Sequence, residues 1–149
     1  MSVLSIATSG LTAASLRTDV AASNIANVRT TGPLPASGGS STSAVVGSPG
    51  IGPMFPAAYV PLRVDQVSQS NGSTPGGTIA TVSTVSPSYT AQSDPNAPFA
   101  NQNGLVAAPN VDLANEFAQL AAAKYSFIAN AKVIQAYAET EGALLDIKT

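Results

Sequence analysis

The run from Asp112 to Ile147 contains no proline and a single glycine, Gly142, and it constrains the fold more than any other stretch. Read as one helix at ~1.5 Å rise per residue, it extends roughly 54 Å. Leu113, Phe117, Leu120, Lys124, Phe127, Ala131, Ile134, Ala138, Glu141 and Leu145 follow one another at alternating spacings of four and three, and only Lys124 and Glu141 break the apolar stripe. That spacing predicts a heptad seam. Asn110 or Asp112 is placed to cap the start, and Asp112, Glu116 and the late Lys148 oppose the helix dipole in the favourable sense. A helix of this length needs a partner, because long helices draw most of their stability from tertiary packing.

The stripe alone fits an ordinary bundle core. The remaining faces point further: Phe117 to Ala123 reads Phe-Ala-Gln-Leu-Ala-Ala-Ala, so nearly two turns carry no charge in any direction. A helix with one wet side shows charged residues there. Several faces are therefore expected to be covered, with the alanines allowing close approach of neighbouring helices.

A second helical segment runs from Ser2 to Val28. Leu4, Ala7, Leu11, Ala14, Thr18, Ala21, Ile25 and Val28 repeat the three-four spacing, with Thr18 the one polar member. Ser2 or Ser5 is placed to cap its start, and Gly32-Pro33 closes it. Two seams, one at each end of the chain, predict a pair of packed helices. Gly10 costs about 1 kcal/mol of helix propensity relative to Ala, which points to a close neighbour at that position. Asn24 and Asn27 lie three apart on one side of the last turns. They are either a fraying polar helix end or hydrogen-bonding groups for an adjacent backbone or subunit.

Between the helices the chain changes character. Thr31 to Pro109 holds only Arg63, Asp65 and Asp94 as charges, and Pro33 to Pro56 is dense in Gly, Ser and Pro. Ala57 to Val67 sets Val60, Leu62, Val64 and Val67 against Arg63, Asp65 and Gln66, and reads as a strand interrupted early by Pro61. Thr78 to Ser86 is rich in β-branched residues and reads as its partner, with Asn71-Gly72 and Gly76-Gly77 as turn signals. A lone hairpin is marginal in water, so this one is expected to rest on the helices or on a neighbour. The predicted fold is mainly α with a small β insertion. Long N- and C-terminal helices pair in a coiled-coil-like arrangement, and Gly/Ser/Pro-rich loops surround a central β-hairpin. The expected divisions are 1–31 for the first helix, 32–110 for the insertion (strands about 57–67 and 78–86) and 111–149 for the second helix, the helices forming one core domain.

The sequence is 44% hydrophobic but only 9% charged, against roughly 25% in an ordinary soluble domain. A net charge of -2 with no basic cluster offers nothing to neutralise phosphates, so nucleic acid is not an expected partner. There is no histidine and no cysteine, which removes Ser-His-Asp and Cys-His catalysis, imidazole and thiolate metal sites, and disulfides. Asp112 and Glu116 are better explained as helix-start charges than as a catalytic pair. Gly50-Ile51-Gly52 lacks the strand and Lys-Ser/Thr of a phosphate loop. No enzyme, catalytic residue, metal, cofactor or small-molecule substrate is expected. Met1 to Thr8 has no basic n-region, so no cleaved signal peptide is expected, and no apolar run approaches ~18 residues.

Ser9-Gly10-Leu11, Arg17, Asn24-Ile25-Ala26-Asn27 and Thr31-Gly32 together resemble the N-terminal signature of the bacterial flagellar axial proteins of rod and hook. Asp94-Pro95, Pro98, Ala100, Gly104, Val106 and Pro109-Asn110-Val111 resemble the pre-helix segment of the short proximal rod proteins of the FlgC type. Glu116, Leu120, Ala123, Phe127, Ala129-Asn130 and Leu145-Asp146-Ile147 fall where that family places acidic, apolar, aromatic and Ala-Asn positions. The resemblance covers both termini, about half of the chain. It implies a structural subunit of the basal-body rod, exported through the flagellar type III apparatus without a cleaved signal peptide and transmitting torque across the periplasm. The implied partners are copies of itself, other rod proteins, the inner-membrane ring with its rod adapter, the export apparatus and a chaperone. The residues implied in helix packing are Leu4, Ala7, Ser9, Gly10, Leu11, Ala14, Asn24, Ile25, Ala26, Asn27, Leu113, Phe117, Leu120, Ala123, Phe127, Asn130, Ala131, Ile134 and Leu145. Pro33-Leu34-Pro35 stands where the family has an aromatic and basic residues, and Lys124-Tyr125 where an Arg is common. The alternatives are a distal rod or hook component or, further off, a secreted enzyme or adhesin on a helical hairpin.

Overall fold

The computed structural model of the chain describes residues 2–35, 55–70 and 76–146. Most of the Gly/Ser/Pro-rich stretch, Asn71-Gly72 and Lys148 lie outside the described residues, as does the side chain of Leu145. Two long helices dominate: α1, Val3–Asn27, and α2, Leu113–Asp146. Between them come β1 (Leu62–Ser68), β2 (Thr78–Thr84), β3 (Tyr89–Ser93) and β4 (Leu105–Pro109). The fold is mainly helical with two small antiparallel sheets, β1-β2 and β3-β4.

The helix starts are set by side-chain caps. Ser2, in extended backbone, accepts the Leu4 N–H on its hydroxyl at 3.3 Å. Asp112, rather than Asn110, accepts the Ala114 N–H at 2.9 Å. Asn110 instead donates to the Pro87 carbonyl at 2.9 Å, tying the approach to α2 onto the connection after β2. α1 ends at Asn27, ahead of Gly32-Pro33, with the Val28 N–H bonded to the Ile25 carbonyl.

The two helices run antiparallel. Asn130 lies against Gly10, Gln119 accepts from Arg17, and Glu116 accepts from Asn24, so residues ascending α1 meet residues descending α2. Near the start of α1, Tyr137 approaches Ser2, and its hydrogen bond to Glu141 raises the phenol above its usual pKa. Beyond Tyr137 every described side chain of α2 is exposed, so its last turns extend past the start of α1.

The β1-β2 hairpin pairs Leu62 with Thr84 at one end and Ser68 with Thr78 at the other, and both strands pack on α1. The face carrying Leu62, Val64, Ala80 and Thr78 is half-buried at those four residues, whereas Gln66, Ser68, Val82 and Thr84 on the same face are exposed. The covered corners are diagonal, so α1 crosses beneath the hairpin from the start of β2 to the start of β1. The opposite face carries the Arg63–Asp65 ion pair at 3.3 Å, both side chains about half exposed or more and of small energetic weight.

The second sheet is a departure from the sequence reading. β4 pairs with β3 and also forms a bridge through Ala107 to Gly32, which donates to and accepts from Ala107 at 3.0 and 2.9 Å. Bonded on both edges, Val106, Ala107, Ala108 and Pro109 are buried. Gly32 therefore serves sheet pairing and close contact with residues 56–58, where a Cβ would strike the Ala57–Ala58 backbone, more than helix termination. Asp94, Pro95, Pro98 and Gly104 form the turn between β3 and β4. The Asp94 N–H bonds the Gly104 carbonyl at 2.9 Å, and Gly104 holds φ +71 against Pro95.

Candidate assembly surface

α1 is enclosed on two sides. Ala7, Ala13, Ala14, Val20, Ala21 and Asn24 are buried, while Ser9, Gly10, Leu11, Ile25 and Asn27 are half-buried and Leu4 and Ala26 exposed. Small side chains set the interhelix approach. At Gly10 an added Cβ would stand 2.5 to 2.7 Å from the carboxamide of Asn130, which itself bonds the Ser126 carbonyl at 2.8 Å.

On α2 the face that meets α1 is offset from the predicted seam. Ala123 is fully buried, and Glu116, Leu120, Ser126, Asn130, Ala131, Ile134 and Tyr137 are half-buried. Leu113, Phe117 and Phe127, expected in the seam, are exposed, as are Ala138 and Glu141. The reason is steric: two four-three stripes overlap on this helix, and the one with smaller residues lets α1 approach closely. The bulkier residues are left outside.

The outer face is accordingly apolar. Ala114, Phe117, Ala118, Ala121, Tyr125 and Ile128 project from one side of α2, all exposed, with Phe117 at 58% and Tyr125 at 72%. Exposed apolar residues gathered on one face of a helix are the mark of an interaction surface, whereas singly scattered ones are not. Lys124 borders this side beside Phe117, and Lys132 and Glu139 stand on it further along.

Asn24 and Asn27 separate. Asn24 is 1% exposed and bonds β1 and α2, whereas Asn27 bonds locally to the Ser23 carbonyl at 2.9 Å and to Thr30. An open groove of about 380 Å³ lies beside Asn24, between α1, the start of β1 and the first turns of α2. Its charged groups are already engaged: Arg17 with Gln119, Arg63 with Asp65, Asp112 with the α2 cap, and Glu116 with Asn24. Among the described residues no group of three or more Asp or Glu could hold a metal ion, and no helix is long and apolar enough to cross a membrane.

Residues 4–33 match the family described as flagella basal body rod protein. Residues 102–147 match the flagellar basal body rod FlgEFG protein C-terminal family. No curated protein matches the chain closely enough to count as a relative. The first match spans α1 and its exit to Gly32, the second β4 and α2, so the matched regions contain both helices and the Gly32–Ala107 bridge between them. With both terminal signatures present on one antiparallel helix pair, the chain belongs to the flagellar rod and hook axial proteins.

Proposed function

We propose that the chain is a structural subunit of the proximal rod. In this reading α1 and α2 form one coiled-coil-like core unit, and copies of that unit pack laterally into a helical tube that carries torque from the inner-membrane ring and its rod adapter toward the hook. The observation that carries the reading is the bare outer face of α2, with Phe117, Tyr125 and Ile128 exposed among alanines. Lateral packing on that face replaces solvation, and close-packed helices supply torsional stiffness. Assignment to the proximal section rests on the Asp94 to Val111 segment and on a middle region too short for a large outer domain. The helices of residues 1–31 and 111–149 make the rod core, 32–110 the insertion on it, and the chain reaches the periplasm through the type III apparatus, escorted by a chaperone.

A second reading, a distal rod or hook component, draws on the FlgEFG description of the C-terminal family. Imaging basal bodies from a strain lacking the gene separates the two. The proximal reading expects rings with no rod; a rod stub, or a complete rod without a hook, means that the chain acts further out, and complete rods bearing hooks overturn both.

A further inference from the structure

At one corner a single carboxamide joins the hairpin to both helices. Asn24 Oδ1 accepts from the Tyr59 hydroxyl and from the Leu62 N–H, each at 3.0 Å, while Nδ2 donates to the Leu62 carbonyl at 2.7 Å and to Glu116 Oε1 at 2.8 Å. Two acceptor positions and two donor hydrogens are all that a carboxamide has, so its capacity is filled.

The paired bonds to Leu62 have a definite geometry. The Val85 N–H bonds the Pro61 carbonyl, which makes that pair a hydrogen-bonded one and its neighbour, Leu62 with Thr84, a non-hydrogen-bonded one. The N–H and carbonyl of Leu62 therefore project from the outer edge of β1. Asn24 accepts the one and donates to the other, as a residue on a third strand would. At the opposite corner Ser9 Oγ accepts the outward N–H of Thr78 at 3.0 Å, and Gly77 leaves room for it where a Cβ would collide with Ser9. The fifteen residue-to-residue steps from Ser9 to Asn24 span about 22 Å of helix, close to the roughly 20 Å length of a seven-residue strand.

This arrangement has one dependence on α2. Glu116 on α2 and the Leu62 backbone on β1 demand the same orientation of the amide: a flipped carboxamide would set Oδ1 against both the carboxylate and the Leu62 carbonyl, and Nδ2 against the Leu62 N–H. We propose that Asn24 is a latch that couples docking of α2 on α1 to seating of the β1-β2 hairpin, with Glu116 holding the carboxamide, ahead of the hairpin, in the orientation that the edge of β1 requires. The coupling belongs to the chain itself and holds whichever section of the axial structure the chain occupies.

Hydrogen exchange of the β1 and β2 amides in the full chain tests it. Glu116→Ala removes no group that bonds the hairpin, yet it should speed hairpin exchange about tenfold, whereas Glu116→Gln keeps an acceptor oxygen and should stay within about twofold of the parent. In a chain already carrying Asn24→Ala, adding Glu116→Ala should change hairpin exchange no further. Because Asn24→Ala removes four bonds and endangers the fold, the two Glu116 variants decide the matter without it. Unchanged hairpin exchange in Glu116→Ala, or equal acceleration in Glu116→Ala and Glu116→Gln, overturns the proposal.

Discussion

α1 and α2 are alike in sequence character and opposite in use. Both are alanine-rich helices without a strong charged face, yet α1 buries six residues and α2, among its described side chains, only Ala123. α1 is packed by α2 on one side and by both strands of a hairpin on another, whereas α2 packs extensively on α1 alone. The difference teaches that an apolar stripe records how many partners a helix has, and says nothing of which partners share its chain. α1 finds its partners within the chain. In the proposed assembly the bare side of α2 takes its partners from outside it.

The same substitution on the two helices should break this comparison most sharply. Ala14 is buried in α1, so Ala14→Asp strands an unpaired charge and should cost the free chain roughly 4 kcal/mol, read as a loss of the cooperative urea transition. Ala121 is exposed on the outer face of α2, so Ala121→Asp should leave the urea midpoint within about 0.5 kcal/mol of the parent. Yet Ala121→Asp should abolish rods and swimming, because in the assembly that charge meets an apolar neighbour. Swimming cells that carry Ala121→Asp would mean that this face is not an interface.

A smaller effect divides the two asparagines. Asn24→Ala leaves the Leu62 N–H and carbonyl, the Tyr59 hydroxyl and the Glu116 carboxylate without their partner, and should destabilise by about 3 kcal/mol. Asn27→Ala loses only local bonds near the helix end and gains helix propensity, so its effect should stay within about 0.5 kcal/mol. Denaturant midpoints of the two single variants measure the gap. Equal losses would remove the special place of Asn24.

Much of this organisation is legible in the sequence, for identifiable reasons. The two helices follow from sustained four-three spacing without proline, and the hairpin from β-branched Thr78 to Thr84 set against Leu62, Val64 and Val67. The β3-β4 sheet is not legible. Asn103-Gly104 marks a turn directly before it, but Leu105-Val106-Ala107-Ala108-Pro109 does not alternate, and it is made a strand by pairing with Tyr89–Ser93 and with Gly32, the latter far away in the chain. The choice between the overlapping stripes of α2 is hidden too, because bulk points to Leu113, Phe117 and Phe127 while close approach to Gly10 selects Ala123 and Asn130. Asn24 reads more readily as a frayed end than as a buried bond, since its partner Leu62 lies 38 residues on. Ser9 is of the same kind: its motif is visible, but its bond to Thr78 is not.

The two helix glycines give the smallest test and the finest one. Each costs about 1 kcal/mol of helix propensity relative to Ala. At Gly10 an added methyl runs into Asn130, so Gly10→Ala should lose at least what propensity returns; combined with Asn130→Ala, which vacates that space, it should turn stabilising by about 1 kcal/mol. Gly142 has nothing within 4 Å of the position a Cβ would take. Gly142→Ala should therefore raise the helix content of the free chain by circular dichroism. Its urea midpoint should nevertheless stay where it is, because the turns beyond Tyr137 extend past α1 and fray independently of the packed part. A raised midpoint would mean that these turns unfold together with α1, and the contrast between an enclosed helix and a half-bare one would then stop short of the end of α2.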